Sequence, residues 1–258
     1  MIELQSRVDK MSQEGSYPTV GDKNLMTIDS AANFTNWMYE EIRPFLSGHI
    51  LELGSGIGTY SEKVIGDFKE SIIVLSDIDE IYIRNLERRF ASNRNVVVKK
   101  IDLSKQGDLR DLNVSIDSVF ALNVLEHIDD DTAALSNIYE VLKPGGRFII
   151  LVPAHQFLFN CIDRAIGHYR RYSRKQIIAK VEQARFKIVE LFYFNFAAIA
   201  GWYINGSIFR QAKVNEGAVG ILNKIVPILK PIERYILLRK LGISLIVVLS
   251  KPEPAVIP

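Results

Sequence analysis

The sequence contains a single cysteine, Cys161, among its 258 residues. An internal disulfide is therefore excluded, and this cysteine usage fits a reducing compartment. The sequence also lacks a large excess of positive or negative charge, since its net charge is only +2. A general nucleic-acid-binding protein is usually far more basic. The beginning of the chain lacks the charged, apolar and cleavage-site regions of a secretion signal. We therefore expect a cytoplasmic protein that does not bind nucleic acid.

The most informative segment is residues 49–60, HILELGSGIGTY, in which a short apolar run is followed by Gly54, Gly56 and Gly58. Glycine has no Cβ, so such a loop brings bare backbone close to a ligand. A helix predicted at 60–68 would direct its free N–H groups towards the same ligand. The spacing lacks the third glycine of the dinucleotide-binding fingerprint, because position 59 is Thr. Taken alone, this loop fits a ligand cradle or a simple tight turn.

Further apolar runs recur at regular intervals and alternate with polar stretches of helical character. These runs are residues 71–76, 95–101, 116–122, 147–152, 186–195 and 242–250. The alternation predicts an α/β fold with a doubly wound, seven-stranded, mostly parallel sheet. Ligands of such sheets bind beyond the carboxyl ends of the strands. Asp77 and Asp102, which close the second and third runs, should therefore lie beside the glycine loop.

Five elements, in order, closely resemble class I S-adenosylmethionine-dependent methyltransferases. They are ELGSGIG, SDID, IDL, ALNVLEHI and LKPGGRF, and the resemblance covers roughly residues 45–195. It implies a Rossmann-like methyltransferase fold and S-adenosylmethionine as the cofactor. The positions that the resemblance assigns to the cofactor site are Glu52, Gly54, Ser55, Gly56, Gly58, Asp77, Ile78, Asp102, Leu103 and Asn123.

The resemblance also implies separate roles within that site. The glycine loop would cradle the methionine part of the cofactor, and Asp77 would accept hydrogen bonds from both ribose hydroxyls, as a carboxylate can. Asp102 would read the adenine amino group, with Leu103 nearby. Asn123 would line the pocket near the sulfonium.

Two segments flank this core and lead us to divide the chain into four parts. Residues 1–46 form an N-terminal helix or lid, with Tyr17 and Asn33 as lid candidates; a helix that only packs on the sheet is the alternative. The cofactor-binding core is 47–195, a helical insertion follows at 196–241, and the last strand and tail are 242–258. Residues 191–209 carry no charge, and we interpret them as a strand plus a buried helix rather than a membrane span.

The insertion combines apolar clusters with positive charge. From Gly206 to Leu241 there are seven basic and two acidic residues, a net of +5. Such a segment can lie on a membrane surface, cover an apolar acceptor or form a dimer contact. Pro227 and Pro231 are predicted to break it into shorter helices. A monomer and a homodimer both remain open.

Residues 123–127, NVLEH, form a candidate metal-binding motif. Some relatives, including ubiquinone-pathway O-methyltransferases, have an acidic residue where this chain has Asn123, and there the trio with Glu126 and His127 is associated with a divalent ion. An amide oxygen carries no charge and is a weaker ligand, so we predict no metal. Glu126 would then cap or orient the following helix. His127 is a candidate general base.

Residues 163–175, DRAIGHYRRYSRK, have the most unusual local composition, with basic and aromatic residues interleaved. In the expected fold this segment runs beside the acceptor pocket. His168 and Tyr169 are therefore catalytic candidates, and the arginines could bind an anionic group of the acceptor. A solvated start of the helix that follows Ser173 is the alternative.

The predicted function is transfer of a methyl group from S-adenosylmethionine to an oxygen of a small-molecule or biosynthetic-pathway acceptor. The acceptor is expected to be apolar, lipid-linked or anionic, with peripheral membrane contact as one option. Nitrogen and carbon acceptors remain open. Alternatives of another class are a noncatalytic interaction module and a nicotinamide-dependent oxidoreductase, and the missing third glycine disfavours the latter.

Overall fold

A computed structural model describes residues 19–254 of the chain. One sheet of seven strands, in the order β3-β2-β1-β4-β5-β7-β6, organises these residues. The strands are β1 Ile50–Leu53, β2 Ile73–Asp77, β3 Val96–Lys100, β4 Ile116–Leu122, β5 Leu142–Pro153, β6 Lys187–Phe194 and β7 Ser244–Ser250. β7 runs antiparallel to β5 and β6, and all the other strand pairs are parallel. The predicted doubly wound, mostly parallel sheet is confirmed.

The helices alternate with the strands and cover both faces of the sheet. They are α1 Val20–Asp29, α2 Ala32–Ile42, α3 Ser61–Asp67, α4 Glu80–Arg89, α5 Gln106–Arg110, α6 Asp131–Val141, α7 Cys161–Ala165, α8 Arg174–Gln183, α9 Ala198–Tyr203 and α10 Glu216–Pro231. Two apolar cores result, one on each face, and the second joins α2 to β1, β2 and the insertion through Phe34, Trp37 and Val226. The four-part division of the chain stays a prediction, and Tyr17 lies outside the described residues.

The sheet order places the ligand edge between β1 and β4. The chain leaves β1 towards β2 and β3 on one side, and then returns to β4 and β5 on the other. Such a reversal opens a crevice at the carboxyl ends of the strands. Because Phe194 of β6 and Pro153 of β5 both face Ser244 of β7 in register, the insertion starts and ends at this same edge.

The prediction that Pro227 breaks the insertion helix is wrong. α10 continues through Pro227 to Pro231 and is followed by a π-helical turn, Ile232–Ile236. A proline leaves the carbonyl four residues earlier without its helical partner. That carbonyl belongs to Asn223, and it accepts a hydrogen bond of 3.0 Å from the side chain of Asn33. Tertiary packing against α2 thus supplies the partner that the helix lacks.

Asn223 stabilises the same contact in the other direction. Its side-chain oxygen accepts from the backbone N–H of Phe34 at 3.1 Å, in the first turn of α2, whose own N-cap residue Ala31 offers no side-chain cap. Asn33 therefore contacts α10, and its proposed lid role is replaced by a structural one.

The helix predicted as buried after β6 is exposed instead. None of the residues of α9 is buried, and large apolar side chains following it, including Ile208 and Phe209, face solvent. Among the described residues, no helix is both long and apolar enough to cross a membrane.

Candidate functional site

The glycine loop connects β1 to α3 and lies against the loop that follows β4. Gly54, Gly56 and Gly58 all have positive φ angles, of 69°, 53° and 84°. A Cβ on Gly54 would lie 2.5 Å from Val124 Cγ2, so the two loops meet where only glycine fits. The loop backbone thus closely approaches a neighbouring loop, as the glycines predicted, and it does so at the edge where the strand order reverses.

Asp77 ends β2 directly beside this loop. Its Oδ2 accepts from the backbone N–H of Gly56 at 2.9 Å, and its Oδ1 accepts from that of Asp79 at 3.0 Å. Burial raises the pKa of the Asp77 carboxyl, and the backbone donors oppose that rise. Each carboxylate oxygen keeps a further lone pair, so the fixed carboxylate can still accept from a diol. This arrangement fits the ribose of the cofactor that the resemblance implies.

Glu52 and Ser55 lie under the loop. The Glu52 carboxylate is 2% exposed and accepts from the Ser61 hydroxyl at the start of α3. The Ser55 hydroxyl accepts from the Ser76 backbone N–H at 3.1 Å. Both side chains therefore hold the loop to its neighbours and shape it.

The other predicted cofactor positions surround the same edge. Ile78 follows Asp77 and is 59% exposed, which leaves it free to pack on a planar ligand. Asp102 accepts from the backbone and hydroxyl of Ser104, and these bonds lower its pKa. Leu103 is buried, and Asn123 is exposed with a φ of 55°. These residues follow the carboxyl ends of β2, β3 and β4, which lie on the same side of the sheet. Their individual roles stay predictions.

Helix α1 covers the glycine loop, and the sequence analysis missed it. Leu25 reaches to 3.0 Å from where a Gly56 Cβ would be, and Asp29 accepts a 2.6 Å hydrogen bond from the Thr59 hydroxyl. Asp22 accepts from the Tyr82 hydroxyl of α4. A signal was available, since Thr19 and Asp22 form a capping box that announces a helix start.

A second group of side chains gathers where β4 and β5 end. Glu126, His127 and His168 offer ligand atoms that all lie within 4.8 Å of one another. The rings of His127 and His168 meet edge to face, with centroids 4.6 Å apart. We call these three residues the acceptor cluster. The sequence analysis had placed His168 in a different segment with no link to Glu126, and the fold joins them.

His168 is held by a buried carboxylate. Its Nδ1 lies 2.9 Å from Asp163 Oδ1, and its Nε2 lies 3.6 Å from Glu126 Oε1. Both Glu126 oxygens are buried without a hydrogen-bond partner, and burial raises the pKa of this carboxyl to about 8. At the rim of the cluster, desolvation lowers the pKa of His127 to about 4, with His168 adding to the effect. Asp163 and the burial of Glu126 could not be read from the sequence.

The arginines of the basic segment make internal contacts. Arg171 is buried, and its Nε donates to Asp163 at 2.9 Å while its guanidinium stacks on Trp202. Arg170 forms an ion pair of 2.9 Å with Asp131. The hypothesis that these two arginines bind the acceptor is replaced by a structural role, because their charges are already compensated inside the protein.

Tyr169 remains available to a ligand. Its side chain is 57% exposed, and its backbone N–H donates to the Glu126 carbonyl at 2.9 Å. The next tyrosine, Tyr172, is fully buried instead, and its hydroxyl donates to Asp131 at 2.8 Å. Of the two, only Tyr169 keeps its candidate role beside the acceptor cluster.

The insertion contacts Asp163, the partner of His168, through Trp202 of α9. The indole N–H of Trp202 points to Asp163 Oδ2 at 3.4 Å. Next to it opens an apolar groove of about 390 Å³. The groove is lined by Phe157, Leu158, Phe196, Ile199, Ala200, Tyr203 and Leu241. The basic segment and the insertion are therefore in contact through Asp163 and Trp202. Their convergence over the cofactor stays a prediction.

Burial of Glu52 predicts a pH dependence of stability. Desolvation raises the pKa of its carboxyl to about 8, so this group takes up a proton on folding. Its stabilising contribution is complete below the unfolded-state pKa and is lost as pH rises through 8. The slope is about 1.4 kcal/mol of unfolding free energy per pH unit. Glu52→Gln should remove that slope, because the neutral amide still accepts from Ser61.

Urea unfolding between pH 5 and 8 measures the effect, as the difference between wild type and Glu52→Gln. The surface variant Glu70→Gln serves as the matched control and should follow the wild type. Identical pH slopes in Glu52→Gln and wild type would contradict the prediction.

Comparisons with known proteins agree with this geometry. A family model described as a methyltransferase domain matches residues 51–148. A Mycolicibacterium smegmatis protein named "Probable S-adenosylmethionine-dependent methyltransferase" is 26% identical over 183 residues, 66% of this chain and 66% of its own length. Malonyl-[acyl-carrier protein] O-methyltransferase 2 of Ilyobacter polytropus is 23% identical over 178 residues, 65% of this chain and 67% of its own length. The alignments thus span about two thirds of each relative.

Solved structures share the fold. Haemonchus contortus phosphoethanolamine N-methyltransferase 2, in complex with S-adenosyl-L-methionine, has a TM-score of 0.56 at 17% identity and covers 86% of this chain and 53% of its own. An S-adenosylmethionine-dependent methyltransferase from Mesorhizobium loti also has a TM-score of 0.56, at 13% identity, covering 86% of this chain and 99% of its own. At these identities the likeness concerns the fold alone.

Proposed function

Because this chain belongs to the class I S-adenosylmethionine-dependent methyltransferases and uses S-adenosylmethionine as its cofactor, we propose that it methylates an oxygen atom of a small biosynthetic acceptor. The cofactor supplies an already activated methyl group when bound. The task of the protein is then to position the acceptor oxygen and to accept its proton. The single observation that carries the proposal is the Asp163–His168 pair at the acceptor cluster.

Cofactor binding is assigned to the β1–β2 side of the edge. The bare backbone of Gly54, Gly56 and Gly58 receives the methionine part, and Asp77 accepts from the ribose hydroxyls. Ile78, Asp102, Leu103 and Asn123 line the remainder. Support comes from the positive φ angles of the loop and from the fixed orientation of the Asp77 carboxylate.

The proton acceptor is assigned to His168. Asp163 accepts from Nδ1–H, which leaves the Nε2 lone pair directed at the interior of the cluster. This is the geometry of an imidazole oriented for general base catalysis by a buried carboxylate. His127 and Tyr169 border the same space and would orient the acceptor. An alcohol or phenol oxygen needs such a base to remove its proton, whereas a carboxylate or a neutral amine does not. One relative is named as an O-methyltransferase.

We assign to the acceptor molecule an apolar portion that binds in the groove described above. The groove has an apolar lining from the segment after β5 and from the insertion, and Trp202, next in the chain to its lining residue Tyr203, contacts Asp163, the partner of His168. An alkyl, polyprenyl or acyl chain in this groove would bury apolar surface and leave its polar end near His168.

The outer face of the insertion supports action at an anionic membrane surface. Val226 turns into the core, whereas Ile221, Ile225 and Ile228 form a second apolar stripe on α10 that faces solvent. Exposed Lys224 and Arg234 lie along the same segment. Apolar side chains flanked by cations suit the boundary between lipid headgroups and acyl chains. Sedimentation with vesicles containing phosphatidylglycerol should pull down the full chain, and Ile221→Glu/Ile228→Glu should abolish that binding.

Two measurements test the proposed reaction. Calorimetry should show binding of S-adenosylhomocysteine and none of NADH, which separates methyl transfer from nicotinamide chemistry and from a module without a ligand. Incubation with S-adenosylmethionine carrying a CD₃ group and a panel of chain-linked alcohols, phenols, carboxylates and amines, followed by mass spectrometry, should show the label on oxygen. Label on nitrogen or carbon alone would overturn the proposal.

His168→Ala then tests the assigned base. Turnover should fall strongly while S-adenosylhomocysteine affinity stays within about twofold, as expected for a group that acts on the acceptor only. His49→Asn, at a histidine that directly precedes β1 at its amino end, is the control variant. Equal turnover by His168→Ala and wild type would remove His168 from the mechanism.

A further inference from the structure

We infer that Glu126, His127 and His168 bind a divalent transition-metal cation of the Zn²⁺ class. One ligand atom from each residue lies within 4.8 Å of the others, as in a site that closes around a single ion. Two imidazoles and one carboxylate are a ligand set that favours Zn²⁺ and its first-row neighbours over Mg²⁺ or Ca²⁺. The set differs from the Asn123, Glu126 and His127 trio weighed in the sequence analysis, because a second histidine takes the place of the weak amide.

The strongest indication is Glu126. Its side chain is 0% exposed, and neither carboxylate oxygen has a hydrogen-bond partner among the described residues. Burying an unpaired carboxylate is costly, so a group in this position is normally paired or bound to a metal. The nearest candidate partner, His168 Nε2, is 3.6 Å from Oε1, too far for a good hydrogen bond. A cation between His168 Nε2 and Glu126 Oε1 would bind both atoms and give the buried carboxylate a partner.

The surroundings orient the histidines as metal ligands. Asp163 holds His168 Nδ1 at 2.9 Å, so Nε2 is the nitrogen directed at Glu126. The backbone of Gly167 hydrogen-bonds the ring of His127. A metal-bound histidine usually donates its other ring N–H to a carboxylate or a carbonyl in this way. The Asp163 carboxylate in turn accepts a hydrogen bond from Arg171 Nε, which fixes the orientation of His168.

Three protein ligands would leave one coordination position of the ion open. His127 lies at the exposed rim of the cluster, so the open position faces the ligand edge. Catalytic zinc sites typically have three protein ligands and one exchangeable position. This inference rests on the proposed function in one respect: the acceptor oxygen would occupy that position. With the ion bound, His168 would be a ligand in place of the base. The ion would lower the pKa of the acceptor hydroxyl, and that hydroxyl would lose its proton to water at the open ligand edge.

The test is direct metal binding by the full chain. After dialysis against a chelator, Zn²⁺ should bind with a one-to-one stoichiometry by calorimetry, and Co²⁺ should give the visible absorption of a four- or five-coordinate nitrogen–oxygen site. Glu126→Gln and His127→Ala should each weaken Zn²⁺ binding by roughly 10-fold or more, the size of effect seen when a metal site loses a supporting contact. His127→Ala is at the rim and should fold. His49→Asn should bind as the wild type does.

Absence of one-to-one binding by the wild type, or equal affinity in wild type, Glu126→Gln and His127→Ala, would overturn the inference. The outcome is separable from that of the proposed function. A chain that binds no metal but transfers CD₃ to oxygen keeps His168 as the base. A chain that binds Zn²⁺ but labels only nitrogen or carbon keeps the metal site and loses the oxygen acceptor.

Discussion

Gly56→Val should abolish binding of S-adenosylhomocysteine. Position 56 has a φ of 53°, which a β-branched residue rarely adopts, and its Cβ would approach Leu25 Cδ2 to 3.0 Å. A changed backbone would also withdraw the N–H that orients Asp77. Asp77→Ala should weaken binding by about 1–3 kcal/mol, the usual cost of a lost charged hydrogen-bond partner. Calorimetry with S-adenosylhomocysteine measures both effects.

Gly66→Val is the matched control, since a Cβ at that position of α3 has nothing within 4 Å. It should retain cofactor binding. Urea unfolding of Gly56→Val shows whether the variant is still folded when binding is measured. If Asp77→Ala binds as tightly as the wild type, the ribose assignment is wrong.

Arg171→Met should lower the free energy of unfolding by about 3–5 kcal/mol, because it leaves a buried carboxylate without its main partner. Asp163 and Arg171 are 0% and 2% exposed, and the guanidinium also donates to the Ala154 carbonyl and stacks on Trp202. Methionine keeps most of the volume and none of the charge. Urea unfolding at neutral pH measures the difference.

Arg174→Met changes a neighbouring, exposed arginine and should shift stability by no more than about 0.5 kcal/mol. The double variant Arg171→Met/Asp163→Asn should recover part of the loss, since it removes the unpaired charge together with its partner. A loss in Arg171→Met as small as that in Arg174→Met would show that the buried pair contributes little.

The basic and aromatic residues of segment 163–175 have two different surroundings in the structure. His168 and Tyr169 face the ligand edge, whereas Arg171 and Tyr172 turn inwards to Asp163 and Asp131. Sequence alone gives the charges but not their partners. The hypothesis that Arg171 binds the acceptor failed for that reason.

The sequence by itself determined the sheet. Strand β4 has the predicted bounds, and the last two strands lie where their apolar runs indicated, because burial between two helical layers requires continuous apolar residues. The crevice position followed as well, since glycines with no Cβ and a carboxylate at a strand end are local features. The fold was readable for this reason, whereas the cofactor was implied by the resemblance to class I S-adenosylmethionine-dependent methyltransferases.

Only the tertiary structure decided what the insertion and the acceptor cluster are. Pro227 stays within α10 because Asn33, far away in the sequence, binds the carbonyl that proline leaves free. Glu126 and His168 are brought together by the ends of β4 and β5, and Asp163 orients the histidine from a third position. Hydrogen bonds and desolvation depend on distances between residues remote in the chain, which no local pattern of residues specifies.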